Sequence, residues 1–155
     1  MGESAGDRAP LRFHSPVDHR DAACDPDTDV QTLASLARCP YPFVWQALAS
    51  NPSTPAHVLG DLCSKRDSAW NDSRLLRLLA EHPSADRAVL LKVLAELEAR
   101  LLASASRPYA AVLALAARRE LKPEELQRLA ALPGASARMR TGLRRRLANR
   151  APKAR

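Results

Sequence analysis

Aromatic residues are scarce in this sequence: Phe, Trp and Tyr make up 4% of its 155 residues, although 46% are hydrophobic. The core must therefore consist mainly of Leu, Ala and Val. Such a core suits closely packed helices better than a β-sandwich, because strands favour β-branched and aromatic side chains. Glycine is also scarce, with five glycines against twelve prolines. This ratio favours many short helices that begin or end near a proline.

Long apolar runs and export signals are missing as well. No run reaches the roughly 18 apolar residues of a transmembrane helix, and the start "MGESAGDRAPLRFHSPVDHR" lacks the apolar region of a signal peptide. The three cysteines, Cys24, Cys39 and Cys63, are an odd number, which argues for reduced thiols and against a disulfide framework. We therefore expect a cytoplasmic protein that makes no membrane contact.

The sequence lacks the motifs of common enzyme classes. It has no P-loop, no dinucleotide fingerprint and no Ser/His/Asp set. His14, His19 and Cys24 are evenly spaced and, with Asp18 and Asp21, offer metal ligands, but the spacing matches no closed zinc pattern. A solvated arm is the favoured interpretation of this stretch. We expect no enzyme, no cofactor and no metal.

Acidic residues are missing from the C-terminal end. The net charge is +7, and nine basic residues but no acidic ones follow Glu125, so residues 1–125 carry −2. A helix over residues 135–149 would turn Leu143 and Leu147 inward and its arginines outward. Such an end is either a solvated cap of the fold or a surface that contacts phosphates or an acidic protein. The candidate basic patch comprises Arg138, Arg140, Arg144, Arg145, Arg146 and Arg150.

The sequence does contain a segment that occurs twice in similar form. "ALASNPSTPAHVLGDL" at residues 47–62 is followed by "LLAEHPSADRAVLLKV" at residues 78–93, and further matches occur at offsets of 26 and 67. Similar apolar positions that recur every 25 to 35 residues indicate stacked helical repeats. We predict a flexible arm at residues 1–27, a helical repeat domain at 28–149 and a basic tail at 150–155. Residues 64–72 and 85–104 are read as insertions.

The repeated polar stretch reads as a joint between helices. Asn51 fits a left-handed C-cap, and Pro52 prevents the helix from continuing. Thr54 is expected to cap the next helix, with Pro55 at its first position. His82 replaces Asn51 in the second copy, where a favourable interaction with the helix C-terminus explains it.

The phrase "L..LA..P...V..ALA.NP.TP..VL..L" in residues 33–62 resembles bacterial leucine-rich repeat variant proteins. The resemblance implies an all-α, short right-handed solenoid, with HEAT-like helical repeats as the nearest competing assignment. Some members of the family hold an iron–sulfur centre in an N-terminal cysteine cluster. This chain has only Cys24 in its N-terminal arm, and four thiolates are usual, so no cluster is expected.

Short solenoids generally expose an extended surface that holds another molecule. We therefore predict a non-enzymatic module for protein–protein interaction, and the oligomeric state stays open. Trp45 lies off the stripe of Val44 and Leu48, so it is either an exposed anchor or, as we favour, packed on the next repeat. Trp70 is placed in an inserted loop. The partner-binding candidates are Tyr41, Trp45, Gln46, His57 and Trp70. The alternative function is association with nucleic acid or an acidic partner through the Arg-rich end.

Overall fold

A computed structural model describes residues 14–150, and this part of the chain is helical and contains no strand. Its elements, in chain order, are α1 (Pro16–Cys24), α2 (Val30–Leu36), α3 (Pro42–Ser50), α4 (Ala56–Leu62), α5 (Ala69–Glu81), α6 (Arg87–Leu102), α7 (Tyr109–Ala116), α8 (Pro123–Gln127), a 3₁₀ turn (Arg128–Ala131) and α9 (Ala137–Ala148). Three of these helices begin with proline, as the composition predicts. Within the described range, no helix has the length and apolar character that crossing a membrane requires.

The helices form two layers. The odd-numbered helices pack side by side in chain order, from α1 through α3, α5 and α7 to α9. On the other side, α4 packs on α6, and α6 packs on the 3₁₀ turn. An array in which each helix contacts mainly its neighbours is a helical-repeat solenoid. The all-α repeat prediction is therefore confirmed, and the right-handed sense stays a prediction.

Leucines fill the space between the layers. Ten of the leucines at positions matched between the repeats are at most 2% exposed, and burying each one contributes roughly 1.5–3 kcal/mol to folding. They are Leu33, Leu36, Leu48, Leu59, Leu62, Leu79, Leu90, Leu115, Leu126 and Leu129. The sequence period thus identifies the core.

The prediction of a flexible arm is wrong for the residues that form α1. The Ser15 hydroxyl accepts from the Asp18 N–H at 3.2 Å, and the Asp18 carboxylate accepts from the Ser15 N–H at 3.0 Å, which forms a capping box. Ala23 is fully buried, and α1 packs on α3 as the first helix of its layer. Residues 1–13 of the predicted arm, and residues 151–155 of the predicted tail, lie outside the described residues.

A repeated threonine could have revealed α1 from the sequence. "DPDT" at residues 25–28 copies "NPST" at residues 51–54. The Thr28 hydroxyl donates to the Ala22 carbonyl at 2.7 Å, and the Thr54 hydroxyl donates to the Leu48 carbonyl at 2.7 Å. The same joint therefore ends α1 and α3.

The joint residues act differently from the caps that the sequence predicts. Asn51 has φ −80° and ψ 116°, an extended conformation, so it is not a left-handed cap. Pro55 occupies the N-cap position of α4, and Thr54 lies before it. Because its hydroxyl is bound to the preceding helix, Thr54 closes the end of α3 instead of starting α4.

Asn51 and His82 occupy the same place in successive repeats, and each binds the backbone of the repeat before it. The Asn51 amide donates to the carbonyls of Ala23 and Asp25 at 2.9 and 3.0 Å. His82 Nε2 donates to the Asn51 carbonyl at 2.7 Å, while its Nδ1 accepts from the Ser84 N–H at 3.0 Å.

Burial lowers the pKa of His82, and the bond to the Asn51 carbonyl opposes this only in part. His82 is therefore a buried, neutral donor. Its favourable interaction with a helix C-terminus is thus a hydrogen bond from the neutral ring to the carbonyl of Asn51, the C-cap residue of α3.

Two arginines continue this series. Arg118 donates to three carbonyls at the end of α5, those of Ala80 (3.0 Å), His82 (2.7 Å) and Ala85 (2.8 Å). Arg150 donates to the carbonyls of Ala116 and Leu121. We call Asn51, His82, Arg118 and Arg150 the carbonyl ladder, since each ties its repeat to the one before it.

The segment predicted as an inserted loop is part loop and part helix, with residues 64–68 outside any helix. α5 begins at Ala69, so Trp70 lies in its first turn, and the placement of Trp70 in a loop is wrong. Ser68 caps this helix by accepting from the Asn71 N–H at 3.2 Å. The second predicted insertion becomes α6, a helix of 16 residues.

Candidate interaction groove

A groove runs between α5 and α7 on the outer side of the odd-numbered layer. It consists of two adjoining cavities of about 350 and 480 Å³, which share Arg77, Tyr109 and Ala110. Arg146 of α9 lines the second cavity. We call this surface the basic groove.

The floor of the basic groove is apolar. Leu78 of α5 and Leu113 of α7 are half-buried in it, beside Ala110 and Ala114. The helix "YAAVLALA" places small alanine side chains along this surface, so a valley is left between the two helices. A floor of alkyl groups offers contact area and no hydrogen-bond donors.

Arginines line the rim of the basic groove. Arg74 and Arg107 lie at the first cavity, while Arg118 and Arg146 lie at the second. Arg77, which borders both, is paired with Glu81 at 3.0 Å. Within residues 14–150, neither Arg74, Arg107 nor Arg146 forms an ion pair with a carboxylate. The rim therefore carries uncompensated positive charge.

Two aromatic rings of the groove lie beneath guanidinium groups. The Arg74 guanidinium lies 5.5 Å from the Trp70 ring centroid, and that of Arg138 lies 5.2 Å from the Tyr109 centroid. Trp70 is 69% exposed, the most exposed large hydrophobic residue of the described chain. Gly142 of α9 leaves room for Tyr109, because a Cβ there would lie 2.7 Å from the Tyr109 hydroxyl.

Trp45 does not belong to an exposed surface. It is 8% exposed, and its indole N–H donates to the Cys39 carbonyl at 2.8 Å. The Lys65 ammonium covers its ring at 5.3 Å from the centroid. Trp45 is therefore a core residue, and its inclusion among the partner-binding candidates is wrong. Its burial agrees with the favoured of the two sequence interpretations, in which Trp45 packs within the array.

The other predicted aromatic and polar candidates are distributed over the surface. Tyr41 stacks on Phe43 with centroids 5.5 Å apart, and His19 meets Tyr41 edge-on at 5.7 Å. The Gln46 amide donates to the Asn71 side chain of α5 at 3.1 Å. His57 is exposed on α4, a helix of the other layer. Trp70 is the member of the predicted set that lines the basic groove.

The predicted basic patch divides among several surfaces of the fold. Arg138 and Arg146 contact the basic groove, whereas Arg140 and Arg144 line a separate cavity of about 440 Å³ between α8 and α9. Arg145 is exposed. Arg150 donates to backbone carbonyls of the preceding repeat. The assignment of Arg150 to a basic surface patch is therefore wrong, because its side chain links the last repeat to the preceding one.

Sequence reasoning missed several groove residues, namely Arg74, Arg77, Arg107 and Tyr109. The spacing of Trp70, Arg74 and Arg77 places them on one face of a helix, a signal that is lost if Trp70 is taken as part of a loop. Tyr109 and Arg107 belong to the next repeat. Their approach to α5 depends on how the helices pack, which local spacing does not contain.

Metal-ligating side chains do not gather in the described range, where no group of three or more His, Cys, Asp or Glu is placed to hold a metal. Asp18, one of the side chains considered as metal ligands, is engaged in capping α1. Cys63 is buried, and this burial raises the pKa of its thiol to about 11. A thiol with such a pKa is protonated at neutral pH and is a weak nucleophile.

Comparison with known protein families supports the assignment of helical repeats. Residues 17–71 match the family model described as the Leucine Rich Repeat Variant domain. No curated protein and no solved structure matches the chain. The matched segment runs from the second residue of α1 into the first turn of α5, so it includes α2, α3 and α4 in full and the joint at Asn51. The predicted resemblance is confirmed over this segment: residues 17–71 are similar to the leucine-rich repeat variant domain.

Proposed function

We propose that this chain is a non-enzymatic binding module and that its partner is another protein. A helical repeat fold generally serves as a binding or scaffold module. The basic groove is the observation that carries the proposal, because it combines an apolar floor with exposed aromatic and guanidinium groups. The proposal includes a cytoplasmic location, which the odd number of cysteines favours.

The chemistry of the groove favours recognition over catalysis. Guanidinium groups remain protonated at all physiological pH values, so they cannot exchange a proton with a substrate. Aromatic residues and arginine are the residue types most enriched among those that dominate protein interfaces. Trp70, Tyr109 and the rim arginines therefore form a surface suited to holding a partner.

Site-specific photocrosslinking in the native host tests this proposal. A photoreactive amino acid replaces Ala110, which is exposed in the basic groove, and in a matched control it replaces Ala88, which is exposed on α6. We expect a discrete protein adduct from position 110 that position 88 does not give. Absence of a protein adduct at position 110, or the same adducts from both positions, would contradict the proposal.

A second candidate function is association with nucleic acid through α9. Arg144 and Arg145 are exposed on this helix, and no acidic residue follows Glu125 to offset them. Phosphate binding would make the affinity for duplex DNA fall steeply between two salt concentrations, and Arg144→Glu with Arg145→Glu would reduce the slope. A protein that does not bind duplex DNA even at low salt would eliminate this candidate.

A further inference from the structure

We infer that the basic groove takes up an acidic amphipathic helix of the partner protein. This inference rests on the proposed function and specifies the chemistry of the partner. It depends on three features of the groove: its shape, the placement of its charges and the state of its aromatic rings.

The shape of the groove fits a helix. Two neighbouring helices, α5 and α7, leave an apolar valley floored by Leu78, Ala110, Leu113 and Ala114. A third helix can lay its apolar side chains into such a valley, with anchors at helical spacing. α5 has 13 residues and α7 has eight, so the two helices border the valley together over about 12 Å, which matches roughly two turns of a bound helix.

The charges of the groove select acidic side chains. Arg74 and Arg107 lie at one end and Arg146 at the other, so the positive rim flanks the floor along its length. Arginine binds carboxylates through two parallel hydrogen bonds. Glu81, a carboxylate in the second cavity, is held by Arg77 at 3.0 Å and therefore does not neutralise the rest of the rim.

The aromatic rings favour a protein over a nucleic acid. Bases of single strands stack on free aromatic faces. Here the Trp70 and Tyr109 rings each have a guanidinium within 5.5 Å of the centroid, which occupies one face. The apolar floor offers nothing to a phosphate backbone, whereas it matches the leucines of an amphipathic helix.

The test uses four fluorescent probes and measures binding by anisotropy. The first is a 16-residue helical peptide (a length of roughly four turns) with leucines on one face and glutamates on the other. The second has the same composition with the leucines scattered around the helix. The third replaces every glutamate with lysine. The fourth is a single-stranded oligonucleotide of equal length.

We expect the first peptide to bind about tenfold or more tightly than the second and third, and to weaken as salt increases. Trp70→Ala, and the double change Arg74→Glu with Arg107→Glu, should each weaken it by about tenfold. Arg38→Glu, an exposed arginine beside α2, is the matched control and should leave the affinity unchanged. Circular dichroism verifies that each variant is folded.

Charge reversal makes the test independent of the absolute affinity. The Arg74→Glu and Arg107→Glu protein should bind the lysine peptide more tightly than the unaltered protein does. Equal affinity for glutamate and lysine peptides, or no effect of the groove variants, overturns the inference. Tighter binding of the oligonucleotide than of the acidic peptide overturns it in favour of nucleic acid.

The outcomes separate the two proposals. A protein adduct at position 110 together with no preference for the acidic helix leaves the binding module standing and removes this choice of partner. A preference for the acidic helix without any protein adduct at position 110 in the host contradicts the proposed function instead.

Discussion

Four side chains of three different types perform one task in this fold. Asn51, His82, Arg118 and Arg150 each donate to backbone carbonyls of the preceding repeat. A short amide serves at one joint and a long guanidinium at another. Since each joint needs a hydrogen-bond donor but no particular residue type, the repeat is clear in the structure and hard to recognise in the sequence.

His82 should make the free energy of unfolding depend on pH. Its pKa is lowered by burial in the folded protein, so the unfolded chain takes up a proton first as the pH falls below about 6.5, the ordinary value for histidine. His82 should therefore contribute its full stabilisation above this pH, and the contribution should decline below it. Urea denaturation between pH 7.5 and 5 (roughly one unit on either side of that value) measures the effect.

His82→Asn provides the control for this dependence. The amide keeps a hydrogen-bond donor, as Asn51 does, but does not titrate. We expect the variant to lose less stability than the unaltered protein over the same pH range. Identical pH profiles for the two proteins would show that His82 is not the titrating group.

Cys63 should resist modification in the folded protein. Burial raises the pKa of its thiol to about 11, so the reactive thiolate is scarce, and the side chain is only 4% exposed. Iodoacetamide at pH 8 should modify exposed Cys24 readily and Cys63 only after unfolding. Peptide mass spectrometry identifies the modified residue, and rapid labelling of Cys63 in the native state would show that its burial is wrong.

Elements in this fold are predictable to different degrees. The apolar stripe of α3 gives its core residues, Val44 and Leu48, directly from the sequence. Trp45 lies off that stripe, and only the neighbouring Cys39 carbonyl and Lys65 side chain explain why it is buried. α1 is missed because its own residues show little helical periodicity, although its joint repeats that of α3. Helices whose burial depends on a neighbour are therefore the ones that local pattern fails to predict.

Arg118 should be essential to the attachment of α7 to α5. Its guanidinium donates to three carbonyls, and its side chain is 16% exposed. Arg118→Met removes these charged donors and should lower the free energy of unfolding by roughly 2–3 kcal/mol. Arg119→Met, at the exposed neighbouring position, should change it by less than about 0.5 kcal/mol. Chemical denaturation that gives equal losses for the two variants would contradict this role.

The molecule as a whole is a short array with a charged face. Its interior consists of leucine side chains shared between neighbouring repeats, and its odd-numbered layer carries the basic groove near the middle. The central helices α5 and α7 therefore have two roles, because they hold the array together and form the groove.

Stability should vary along the array. Within the odd-numbered layer, α5 and α7 each pack between two helices, whereas α1 and α9 each pack on one. Nearest-neighbour contacts supply most of the stability of a repeat protein, so its ends open more readily than its centre. Hydrogen exchange followed by mass spectrometry should show slower amide exchange in α5 and α7 than in α1 and α9. Uniform exchange over all four helices would instead indicate one cooperative unit.

The sequence by itself determines that the chain is all-α, that its leucines form the core and that proline-marked joints separate its helices. These features are local: helical period and turn chemistry depend on residues a few positions apart. Tertiary structure decides the rest, including the burial of Trp45, the neutral state of His82 and the placement of Trp70 and Tyr109 in one groove. Those features depend on which helix faces approach each other, and that is set by the packing of side chains from different repeats.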